Sequence, residues 1–79
     1  MNMTLMKLVM ILLNCRRDDD LRKLDKWQKR YLAGKLEKLD PDFSTLEEWN
    51  RLGALTLSLP EAEDRETASE RLICGLRAG

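Results

Sequence analysis

Between Leu5 and Leu13 (LMKLVMILL) only Lys7 interrupts an apolar run, in a chain of just 79 residues. Such a run has four possible fates. It is removed as a leader, placed in lipid, buried in the fold, or buried against another chain. A membrane-spanning helix takes about 20 apolar residues. This run stops at Asn14-Cys15 and meets Arg16-Arg17-Asp18-Asp19-Asp20, so spanning is not expected. Lys7 and Leu8–Leu13 supply the charged and apolar parts of a secretory leader, and Leu12-Leu13-Asn14-Cys15 has the outline of a lipoprotein cleavage box. Asn14, however, stands where that box requires a small residue, and the apolar part is at its lower length limit. Export is therefore not expected.

Burial remains. Met3 and the run from Leu5 together supply nine large apolar side chains. At roughly 1.5–3 kcal/mol for each one fully buried, leaving them in water forfeits well over ~10 kcal/mol, as much as the whole net stability of a small domain. A helix apolar on every side has no solvent face. One side packs on the rest of the chain, and the other needs a second partner. The segment is thus expected to be either the central helix of a compact bundle or a contact with another chain. A minority alternative makes Leu8–Leu13 a buried strand, pairing with the alternating segment Ala54–Leu59 in an α+β fold.

The remaining sequence reads as helix. Leu, Met, Glu, Lys and Arg dominate, and all are good helix formers. Asp18-Asp19-Asp20 suits a helix N-terminus. From there Leu21, Leu24, Trp27, Tyr31, Leu32, Leu36 and Leu39 recur at steps of three and four, predicting one long helix that ends by Leu39, before Asp40-Pro41. Asp18/Arg22, Asp19/Lys23 and Asp25/Lys29 are acid-first pairs four residues apart. Ser44 and Glu47 predict a capping box and a third helix from about Thr45, with Leu46, Trp49, Leu52 and Leu55 inward. Ser58 and Glu61 predict another box, with Pro60 in the first turn of a fourth helix that buries Ala68, Leu72, Ile73 and Leu76. The expected fold is all-α: one domain over residues 1–79, a bundle of three to four short helices completed by oligomerisation. A chain this short sits near the lower limit for unaided folding.

Chemistry is sparse. There is no histidine, hence neither the commonest general base nor the commonest metal ligand. Two cysteines, Cys15 and Cys74, make no disulfide framework and no metal spacing; they read as reduced thiols of a cytoplasmic protein. No glycine cluster resembles a phosphate cradle. The acidic clusters read as helix starts rather than cation sites. No catalytic residue, metal or cofactor is expected, and the chain reads as a non-enzymatic protein.

Charge points to association. Net charge is zero, yet residues 1–40 carry ten basic and six acidic side chains (+4), and residues 41–79 carry four and eight (−4). The halves are electrostatic complements, within one chain or between chains. The favoured expectation is a small adaptor, chaperone-like or regulatory subunit that binds another polypeptide, itself included, with Met3, Met6, Leu8, Met10, Leu13, Trp27 and Trp49 as the contact residues. The alternative is a modulator of transcription acting with a DNA-binding partner. Its contacts would be Arg22, Lys23, Lys26, Lys29 and Arg30, read as one helix face opposite the leucines. Against it stand the interleaved Asp residues, the zero net charge, and an expected inward orientation for Trp27 and Tyr31. Peripheral membrane attachment through residues 1–15 is a third possibility.

Overall fold

Thr4 opens the first helix: its side chain accepts from the Lys7 N–H, and the apolar run then coils as α1, Leu5–Leu12. The computed structural model describes residues 4–78. Asn14 ends α1 in the left-handed conformation (φ 56°). Its own N–H returns to the Ile11 carbonyl and that of Cys15 to the Met10 carbonyl, the two bonds of a Schellman stop. Asparagine tolerates this conformation better than most residues. That is the structural role of a residue that looked merely out of place in a cleavage box.

Beyond Asn14 the chain departs from the expected single long helix. Asp18–Lys23 is a 3-10 turn, Leu24 is extended (ψ 134°), and a new helix α2 begins at Lys26 and runs to Leu36. Two local bonding systems impose the break. The Asp20 carboxylate accepts from the backbone N–H groups of Arg16 and Arg17, which closes the turn. Asp25 and Gln28 form a reciprocal capping box, with Gln28 N–H to Asp25 at 2.8 Å and Asp25 N–H to Gln28 at 3.0 Å. A residue that caps a new helix cannot sit inside an old one.

Helix α3, Leu46–Leu57, is capped by Thr45, which accepts from Glu48 N–H, one residue later than the expected Ser44–Glu47 box. Helix α4 is Arg65–Ala78. The expected box at Ser58 does not form, because Ser58 is the left-handed C-cap of α3 (φ 56°). Residues 59–64 are a non-helical spacer, and the Asp64 carboxylate accepts from the Thr67 N–H at 2.7 Å to start α4.

Over the described residues the protein is all-α, a small bundle of four helices with two 3-10 turns, the second at Pro41–Phe43. No strand occurs among the described residues. The strand alternative fails because Leu8–Leu12 lie in α1 and Ala54–Leu57 in α3. Nor is α1 central. Helix α4 packs on both α2 and α3, the turn Asp18–Lys23 packs on α3, and α1 lies against α3. The core is one cluster in which Leu5, Val9, Leu21, Leu32, Leu36, Trp49, Leu52, Leu72 and Leu76 are fully buried. The Trp49 indole N–H donates to the Pro41 carbonyl at 2.8 Å, so the largest core side chain keeps its polar atom satisfied. Gly75 admits the Leu57 side chain so closely that a Cβ there would lie 2.5 Å from Leu57 Cδ1. Cys15 and Cys74 are free thiols. Among the described residues no helix is long and apolar enough to cross a membrane.

Candidate functional site

The inward side of α2 is set by Leu32, Ala33 and Leu36, all buried. At 3.6 residues per turn, Trp27 and Tyr31 fall nearly opposite those three. They point outward: Trp27 is 75% exposed and Tyr31 48%. This corrects the expectation that both rings join the leucines. The seven-residue stripe counted Leu21 and Leu24 in the same helix. Leu21 and Leu24 are indeed buried, but from the preceding turn and on a different axis. Removing them from the wheel moves the centre of the buried face away from the aromatics.

A charged side chain lies over each exposed ring. The Arg30 guanidinium carbon lies 5.9 Å from the centre of the Trp27 ring, and the Lys35 ammonium 5.5 Å from that of Tyr31. Contacts of this kind are worth about 0.5–1 kcal/mol at exposed sites; their larger effect is to hold long flexible cations beside planar rings. Gly34 lies on the same face, and the space where its Cβ would stand is open. Helix α2 carries Lys26, Lys29, Arg30 and Lys35 and no acid. The face from Trp27 to Lys35 is therefore aromatic and cationic, with a flat step at Gly34.

The residues of the expected basic face do not lie on one helix. Arg22 and Lys23 are exposed in the 3-10 turn, Lys26 and Arg30 are exposed on α2, and Lys29 is half-buried. The break at Leu24–Asp25 separates the first two from the rest. Two of the acids thought to neutralise this region have structural work: Asp20 closes the turn and Asp25 caps α2.

The expected polypeptide contacts also divide. Met6, Leu13 and Trp49 are core residues, unreachable by a partner while the fold is closed. Leu8 and Met10 are half-buried on α1, with Met10 turned toward the core cluster. Met3 lies outside the described residues. Of the six that are described, Trp27 alone is exposed. Sequence reasoning missed Tyr31, Gly34 and Lys35 as members of the same face, and Ile11, 58% exposed on the outer side of α1. The Asp25-x-x-Gln28 capping signature was the signal that could have found the first three, because it resets the helical phase.

The setting of Cys15 does not activate it. Partial burial, with the negative charge of Asp20 nearby, pushes the Cys15 thiol up from its ordinary pKa, which disfavours the thiolate. Among the described residues no cluster of three or more His, Cys, Asp or Glu side chains is placed to hold a metal ion. Comparison with protein-family models, with curated proteins and with solved structures finds no match to this chain.

Proposed function

We propose that the protein is a non-enzymatic binding module, a small adaptor, chaperone-like or regulatory subunit, that engages another polypeptide through the outward face of α2. The observation that carries this reading is the exposure of Trp27 and Tyr31 on the side of α2 away from the core, each paired with a cation. A tryptophan three-quarters in water is costly surface for a chain with so small a core. Tryptophan, tyrosine and arginine are also the residues most enriched where protein interfaces concentrate their energy. The complementary surface is apolar with carboxylates at its margin, such as one side of an acidic amphipathic helix. The same proposal takes the protein to be cytoplasmic, in keeping with two unpaired thiols. The test is capture of binding partners from the native cell by the full chain and by Trp27→Ala. Partners held by the first and lost by the second support the reading. Equal capture by both overturns it.

A second reading has one observation in its favour. An acid-free helix with outward aromatics also suits single-stranded nucleic acid, where bases stack on rings and cations follow phosphates. The zero net charge and the convex shape of a single helix favour the polypeptide. A gel shift with a labelled oligonucleotide separates the two: binding at low salt that falls steeply as salt rises, and is lost in Trp27→Ala, supports the nucleic acid.

A further inference from the structure

Helix α3 and the spacer after it enclose a second surface feature. Asn50 clamps the spacer to the helix. Its amide nitrogen donates to the Ala62 carbonyl at 3.2 Å, and its amide oxygen accepts from the Ala62 N–H at 2.9 Å. The two bonds fix the far wall of a groove of about 470 Å³, lined by Leu46, Glu47, Asn50, Arg51, Ala54 and Glu61. Leu46 and Ala54 make part of it apolar. Its charged lining, two carboxylates against one guanidinium, sums to −1.

We propose that this groove receives Trp27 and Arg30 of a second copy of the chain, so that copies associate head to tail. The assignment rests on the outward face of α2 being a docking surface. The occupant follows from chemistry already in the molecule. The groove asks for a bulky apolar side chain with a cation beside it, and Trp27 is such a side chain, with the Arg30 guanidinium already lying over its ring. The indole fills the apolar part, and the guanidinium travels with it to meet the carboxylates of Glu47 and Glu61, where charge-assisted hydrogen bonds are strongest. At longer range the match extends to the +4 and −4 halves of the sequence. Because each copy is neutral as a whole, no net repulsion opposes the approach.

Such a contact is heterologous: the patch on one copy differs from the patch on the next. Each pair therefore retains an unused Trp27 at one end and an unused groove at the other, and growth continues past the dimer unless the rotation closes a ring. One ring in one groove covers less than the ~800 Å² per partner of a standard interface. Association is accordingly expected at micromolar concentrations and above, weakening as salt screens the carboxylates.

Sedimentation of the purified full chain over a micromolar-to-millimolar series tests this, with two variants at exposed positions. Trp27→Ala removes the knob and Ala54→Arg blocks the groove; far-ultraviolet circular dichroism establishes that both stay folded. The wild-type mass is expected to rise with concentration beyond a dimer. Each variant alone stays monomeric, and a one-to-one mixture forms dimers and nothing larger, since it retains one intact knob and one intact groove. A mixture that stays monomeric overturns the proposal. So does an Ala54→Arg variant that associates like the wild type while Trp27→Ala does not; that result leaves the α2 surface standing and removes only the groove. A wild-type chain that is monomeric throughout, yet loses a captured partner on Trp27→Ala, likewise removes only the second copy as occupant.

Discussion

Trp27 and Trp49 occupy opposite environments, and a residue's place on its own helix decides which. Trp49 sits at 1% exposure with its N–H bonded to Pro41, so Trp49→Ala leaves a large cavity and an unsatisfied carbonyl. We expect a loss of about 3–5 kcal/mol in chemical denaturation, enough to unfold most of a domain this small. Trp27→Ala, changing a solvent-facing ring and its contact with Arg30, should shift stability by no more than ~1 kcal/mol while removing the proposed binding. Gly34 provides the complementary case. Nothing occupies the space around its missing Cβ, so Gly34→Ala should stabilise α2 by about 0.5–1 kcal/mol, read as a higher melting temperature. If α2 docks closely at that step, the same methyl weakens partner binding, and the two effects have opposite signs. At this scale the sequence was legible for the buried leucines and for Trp49, whose spacing within α3 is uninterrupted. It was misleading for Trp27 and Tyr31, because a helical wheel assumes one axis and the axis changes at Leu24.

Among the elements, boundaries rather than identities separate expectation from structure. Every expected helix has a counterpart, but short polar residues chose between equivalent-looking caps. Ser58 and Thr45 illustrate the ambiguity. Ser44-x-x-Glu47 and Thr45-x-x-Glu48 are offset by a single residue, and only packing of Trp49 and Leu52 into the core fixes the phase. Ser58 reads as a helix start, yet it ends α3 because the clamp between Asn50 and Ala62 holds the following segment away from helical geometry. Asn50→Ala should therefore cost about 1–3 kcal/mol, two hydrogen bonds to a half-buried strap being lost together; hydrogen exchange should localise the loosening to residues 59–64. The start of α4 carries a pH signature. Hydrogen bonds from the Thr67 backbone N–H and hydroxyl, and the nearby Arg71 charge, hold the Asp64 carboxyl below its ordinary pKa. A carboxyl depressed in the folded state stabilises above its unfolded pKa of about 3.9 and loses that contribution as pH falls through the folded value. Asp64→Ala should lower the melting temperature at neutral pH, and the gap from wild type should close in strong acid.

For the molecule as a whole, the apolar N-terminal run is covered by the fold on one side only. One side of α1 buries Leu5, Met6 and Val9, with Leu13 just beyond it, against a bundle whose centre is elsewhere. The other side leaves Ile11 in water. Leu13→Asp places a charge at a core position and should unfold the chain, whereas Ile11→Lys should leave the melting curve nearly unchanged. That pair of outcomes distinguishes the two sides of one helix. The fold class was legible because helix formers and period-3.6 spacing agree along most of the chain. The proposed binding surface was not, since it depends on which residues the bundle fails to cover, a property of the packed molecule. The division between the two tryptophans has a practical consequence as well. The chain carries its own pair of fluorophores, one sealed and one solvated. Emission from Trp49 should shift to the red only on unfolding, while Trp27 should be quenched by iodide in the free chain and shielded on docking. Folding and binding are thus separately visible in the unlabelled protein, with Trp27→Phe isolating the first signal and Trp49→Phe, where it folds, the second.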